Sequence, residues 1–187
     1  MKLIRKDEIN FNRDLFHVKE LYYLSCSCYW DGGYDKDATL SEKAKFYSIA
    51  SQYSEIIKDI LISFSEPVII SSVCSENERL FEKWKDIDKH DSYNNLISCF
   101  HKKKSYMLDF PNDIEYIDYI VENNFRYLSC IDLFLQQSNI IIQPTCHTEV
   151  FIYSYDYSRI IPIVKDGLIK HGSSIEIKKY YNNNIII

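Results

Sequence analysis

Apolar positions recur along the chain in two rhythms, and each rhythm implies a different kind of element. Over Asp14 to Tyr29, Leu15, Val18, Leu21, Tyr22 and Cys26 fall close to the i, i+3, i+4, i+7 spacing that lines one face of a helix, so a first helix is predicted there. Trp30-Asp31-Gly32-Gly33-Tyr34 would end it, because glycine reaches the left-handed backbone geometry of a helix stop at little steric cost. Thr39-Leu40-Ser41-Glu42 then has the form of a capping box, a hydroxyl and a carboxylate three residues apart that satisfy each other's free backbone donors. Behind it Leu40, Ala44, Ile49, Tyr53, Ile56, Ile57, Ile60, Leu61 and Phe64 keep helical spacing for about seven turns, which predicts a long helix stopped by Pro67.

After Pro67 the rhythm changes. Residues 68–73 read as a short buried strand, followed by polar helical stretches over 75–89 and 92–102 and a second strand over 104–110. Asn112 with Glu115 three residues on predicts a capped helix with Ile114, Ile117, Ile120 and Val121 as its apolar stripe, and Asn123-Asn124 as its C-cap. Residues 126–135, 139–143 and 148–154 are rich in Ile, Tyr, Phe and Leu and are parted by polar or Pro-containing joints, so three strands in sequence are expected. Ser158 would cap a helix to Lys170 that tolerates Pro162 near its first turn, and Gly172 would end it. Residues 174–180 alternate as a half-exposed strand does, and 182–187 read as a frayed tail. The sum is a single α+β domain over 1–187: a mainly helical N-terminal third, 1–66, followed by a mainly antiparallel sheet within 67–187, with helices packed on one face.

Length and composition support that class. With 187 residues and 46% hydrophobic content, the chain is large enough to bury a core without staples and too apolar to be disordered. It has only 4 Gly, 4 Pro and 3 Ala beside 16 Tyr and 28 Ile. The glycines, at 32, 33, 167 and 172, stand at apparent turns or helix ends.

Charge narrows the partners. A net charge of -5 argues against a nucleic-acid binder, which gains affinity from a basic face that releases counterions. The acids concentrate in the middle of the chain, as Glu76, Glu78, Glu82, Asp86, Asp88 and Asp91, then Asp109, Asp113, Glu115, Asp118 and Glu122. They read either as a solvated helix face or as an acidic docking surface for a basic protein. The N-terminus carries Lys2, Arg5, Lys6, Asp7 and Glu8, which leaves no signal-peptide apolar core, and no apolar run approaches the ~18 residues of a membrane span. A cytoplasmic protein that meets no membrane is expected. The six cysteines then read as reduced, buried thiols, and their spacing contains no paired-cysteine zinc motif.

Catalytic patterns are sparse. GxxxxGK[ST], GxGxxG, HExxH and GxSxG are all absent, and neither cofactor nor metal is expected. The candidate nucleophile is Cys146 beside His147, with His101, His171 or Asp156 as remote partners. Neighbours on a strand point to opposite faces, so Cys146 and His147 are not expected to pair. Glu176-Ile177-Lys178 matches half of a nuclease metal site, with Asp156 or Asp132 as the upstream carboxylate. Predicted elements intervene in both cases, and an edge strand with its charges in water is the simpler account.

Tyrosine supplies the remaining signal. Tyr116 and Tyr119, then Tyr153, Tyr155 and Tyr157, are clustered, and the last three share one side if their segment stays extended. Tyr is enriched in interface cores, so Tyr116, Tyr153, Tyr155 and Tyr157, with the acids Glu82, Asp86, Asp88, Asp91 and Asp113, make the candidate partner-binding set. A small acidic α+β chain, poor in Gly and Ala, rich in Ile, Tyr, Asn and Ser and without catalytic motifs, resembles the immunity proteins of bacterial toxin systems such as contact-dependent growth inhibition. That resemblance implies a tight inhibitor of a cognate basic toxin, often a nuclease, that masks the toxin's active site or a neighbouring surface. The alternative is a small cytoplasmic hydrolase or nuclease using the Cys/His or Asp/Glu-x-Lys groups.

Overall fold

The computed structural model describes residues 2–5, 9, 12–26, 38–72, 105–126, 129–171 and 174–181. Their elements run β1 (Lys2–Ile4), a 3-10 turn (Arg13–His17), β2 (Glu20–Cys26), α1 (Leu40–Phe64), β3 (Val68–Ser72), β4 (Ser105–Leu108), α2 (Tyr116–Phe125), β5 (Ile131–Leu135), β6 (Ile140–Pro144), β7 (Glu149–Ser154), α3 (Ile160–His171) and β8 (Ile175–Tyr181). The fold is α+β. Eight strands form one sheet in the order β1-β4-β3-β5-β6-β7-β2-β8, and every pairing is antiparallel.

The three helices share one face of the sheet. Ile49, Tyr53, Ile57, Ile60 and Leu61 of α1 pack with Ile117, Ile120 and Phe125 of α2, Ile160 and Val164 of α3, and the strand residues Ile70, Leu133, Ile142 and Ile152. Helix α1 lies against both of its companions. Its start is the predicted capping box: Thr39 Oγ1 accepts from Glu42 N at 3.2 Å and Glu42 Oε2 accepts from Thr39 N at 2.7 Å. Leu40, counted in the apolar stripe, lies ahead of the packed region and is exposed. A smaller core, Ile4, Leu15, Ile69, Phe134 and Ile141, sits on the opposite face, where the 3-10 turn lies.

Several local expectations are corrected by tertiary contacts. Glu20–Cys26 is a strand rather than part of a helix from Asp14, and the first third therefore holds β1 and β2 as well as α1. The same apolar residues satisfy a period of two, and pairing with β7 on one side and β8 on the other supplies backbone partners that a lone amphipathic helix would lack. Helix α2 begins at Tyr116, after a turn in which Asn112 Nδ2 donates to Asp109 Oδ2 instead of capping the helix. Asn123 and Asn124 are not its C-cap; both are buried within it, and Arg126 ends it. Gly167 lies inside α3, where an added Cβ would meet Ile56 Cγ1 at 3.4 Å, so the glycine sets the close approach of α3 to α1. The predicted helical stretches over 75–89 and 92–102, the stop at residues 30–34, Gly172 and the tail lie outside the described residues.

Candidate functional site

On the face opposite the helices, strands β7, β2 and β8 build a small grid. Alternation turns Val150 and Ile152 into the core, and Glu149, Phe151 and Tyr153 to the other side. The register sets Phe151 against Tyr23 and Tyr23 against Lys178, while Glu149 faces Ser25 and Ser25 faces Glu176. The Tyr23 and Phe151 rings lie 5.4 Å apart, Phe151 and Tyr153 are 6.3 Å apart, and Phe16 of the 3-10 turn meets Tyr153 edge-on at 5.2 Å. Leu21 and Tyr180 join these rings to line a cleft of about 490 Å3 that Glu149 closes at one end.

A polar strip runs beside the cleft. Tyr153 OH donates to Gln143 Oε1 at 3.1 Å, and Gln143 Nε2 donates to Asp132 Oδ1 at 3.1 Å. That orientation is the only one in which the amide serves both neighbours, because an ionised carboxylate can only accept. Asp132 is 5% exposed, and burial, only partly offset by the Gln143 hydrogen bond, pushes its carboxyl up to about 6. Burial, with the Asp132 charge behind it, pushes the Tyr153 phenol up to about 12. The strip continues across β3 and β4 through Ser71, the register partner of Asp132, whose Oγ accepts from Ser105 Oγ at 3.2 Å.

Charges in the grid are unevenly matched. Lys178 reaches Glu176 at 3.8 Å and Ser25 Oγ at 3.4 Å, whereas no hydrogen bond or ion pair engages the Glu149 carboxylate among the described residues. Among the described residues no cation stands over Tyr23, Phe151 or Tyr153 either. The helix side is different. There Arg126 lies 5.0 Å over Phe46, Arg159 4.6 Å over Phe64, and Lys179 4.9 Å over Tyr181 while bonding Glu20 at 2.7 Å.

A second cleft of about 630 Å3 opens where the end of α1 meets β4, lined by Leu61, Glu66, Met107 and Phe110 among others. Its buried carboxylate, Glu66, is already engaged, accepting from Gln137 N at 2.7 Å and Ser138 N at 3.1 Å to tie down the turn between β5 and β6. In the first cleft, by contrast, no described residue engages the Glu149 carboxylate.

The predicted site residues are not brought together. Glu82, Asp86, Asp88, Asp91 and His101 lie outside the described residues. Asp113 accepts from Asp109 N at 2.8 Å in the turn before α2, and Tyr116 packs on the helix side against Tyr119. The expected extended strip is broken at Ser154, where β7 ends and the Ser154 hydroxyl bonds the backbone of Asp156. Tyr153 remains on the cleft side, Tyr155 is 57% exposed and accepts from Asn12 Nδ2, and Tyr157 turns back to the helix side to donate to Ile152 O at 2.9 Å.

The catalytic candidates separate as well. Cys146 and His147 sit in the turn between β6 and β7 rather than on a strand, and His171 Nε2 lies 3.0 Å from Asp59 Oδ2 on the helices. Asp156 caps the approach to α3 by accepting from Ser158 N at 2.8 Å. Asp132 on β5 and Glu176 on β8 are four strand spacings apart, about 19 Å, too far to share a metal ion. Among the described residues no group of three His, Cys, Asp or Glu could hold a metal, and no helix is long and apolar enough to cross a membrane. Cys26 and Cys146 are half-buried as packing requires, but Cys130 is exposed.

Sequence reasoning singled out Tyr153 and Asp132 and missed Tyr23, Glu149, Phe151 and Gln143. The signal for Glu149 and Phe151 was present in their alternation, together with Tyr153, around two aliphatic residues, which marks a strand with a second, differently occupied face. Tyr23 required the placement of β2. Compared with known proteins, the chain matches no family model, no curated protein and no solved structure.

Proposed function

We propose that this protein is a protein-binding inhibitor of the cytoplasm, an immunity protein that neutralises a cognate basic toxin domain by covering its active site or an adjacent surface. The observation that carries the reading is the cleft opposite the helices, where half-buried aromatic rings stand beside Glu149, a carboxylate that pairs with none of the described residues. Rigid aromatic side chains supply contact area at low entropic cost, and unmatched negative charge steers a basic partner to it. The net charge of -5 acts in the same direction over longer range. Tyr180, 48% exposed on strand β8, extends the aromatic surface to the edge of the sheet.

The test is protection. Co-expression with the toxin domain encoded beside this gene should restore growth, and the two proteins should elute as a stable complex of one copy each. Unrelieved toxicity together with separate elution of the two folded proteins would remove the reading.

A further inference from the structure

The geometry points to an arginine side chain of the protein partner as the occupant of the cleft between β2 and β7, an inference that rests on the inhibitor reading and names what the cleft receives. Tyr23 and Phe151 offer ring faces on adjacent strands, and Tyr153 and Phe16 close the far end. A guanidinium is planar and weakly hydrated, so it stacks on such faces where an ammonium keeps its water. Glu149 stands two residues from Phe151 on the same side of β7, a separation of roughly 6.7 Å, which leaves its carboxylate within reach of a fork lying on that ring.

Charge decides the occupant. The ring-stacked cations Arg126, Arg159 and Lys179 lie on the helix side, Lys179 with its own carboxylate partner Glu20, whereas among the described residues no cation stands over Tyr23 or Phe151 and none pairs with Glu149. Lys178, the register partner of Tyr23, is turned to Glu176 and Ser25. A positive, planar group from the partner would complement the two ring faces and the carboxylate together.

The probe is N-acetyl-arginine N-methylamide, titrated into labelled protein and followed by amide and aromatic NMR shifts, beside its neutral isostere, the citrulline derivative. Saturable shifts confined to β2, β7 and the 3-10 turn are expected, with a dissociation constant on the order of 10 mM, and the citrulline derivative should bind about 10-fold more weakly. Glu149→Gln, whose amide spectrum confirms its fold, should weaken the arginine derivative about 3-fold or more and leave the citrulline derivative unchanged. Equal binding of the two derivatives, no saturable shifts, or shifts on the helix side would overturn the assignment. The inhibitor reading is judged separately, because toxin protection does not depend on the titration.

Discussion

Gln143 Nε2 donates to Asp132 Oδ1 at 3.1 Å across neighbouring strands, and this is the one hydrogen bond made by the carboxylate among the described residues. Asp132 is thus a buried acid without a cation, held up to about 6 by burial against an ordinary value near 3.9. The native state binds its proton more tightly than the unfolded chain does. Between about pH 4 and pH 6 this group therefore lowers stability as pH rises, and its contribution is fully unfavourable at pH 7. Asp132→Asn should stabilise the protein at pH 7 by about 1 to 2 kcal/mol, and the gain should vanish near pH 4. Thermal unfolding of the pair across that range checks it; equal melting temperatures at pH 7 would show that the carboxylate is solvated.

Asn124 and Asn123 are adjacent, buried and energetically unlike. Asn124 Nδ2 donates to Ile131 O and Pro144 O, both at 2.9 Å, while its Oδ1 accepts from Ser129 Oγ and Ile131 N. It joins α2 to the start of β5 and the end of β6. Asn123 Nδ2 only bonds back to Tyr119 O, one turn earlier in its own helix. Asn124→Ala should cost about 3 kcal/mol or more, because it orphans buried backbone groups, and Asn123→Ala about 1 kcal/mol. Urea unfolding midpoints of the two variants test the contrast.

Gly167 lets α3 approach α1. Its added Cβ would make ordinary contact with Ile56, at 3.4 and 3.6 Å from Cγ1 and Cγ2, so Gly167→Ala should change stability by less than about 1 kcal/mol as helix propensity offsets the tighter fit. Gly167→Leu has no space to occupy and should destabilise by about 1 to 3 kcal/mol. Differential scanning calorimetry distinguishes the two substitutions.

The elements that sequence pattern revealed are those whose local signals agree with their tertiary role. Thr39 and Glu42 name the start of α1 because the capping box is a contact within one turn. Val68 to Ser72 and the strands β5, β6 and β7 carry enough β-branched and aromatic residues to be read directly. Leu21 to Cys26 misled because Leu15, Val18, Leu21 and Tyr22 satisfy a helical spacing, while the partners that make the segment a strand, Val150 to Ile152 and Ile175 to Tyr181, come more than a hundred residues later. The cleft was hidden for the same reason. Tyr23 and Phe151 become neighbours only through that long-range pairing, and Tyr157 left the expected strip because the Ser154 turn reverses the chain.

The proposed docking of a toxin domain on the β7-β2-β8 face is tested most directly by calorimetric titration of that domain at two salt concentrations. Glu149→Lys and Phe151→Ala should each weaken binding by about 1.5 kcal/mol or more, roughly 10-fold, whereas Asp166→Lys on exposed α3 should change it by less than 2-fold. Wild-type affinity should fall as salt rises from 50 to 300 mM, taken as approximate working values, and less so for Glu149→Lys. Wild-type affinity in both cleft variants, with a loss on substituting the helix side, would contradict the account and move the interface to the other face of the sheet.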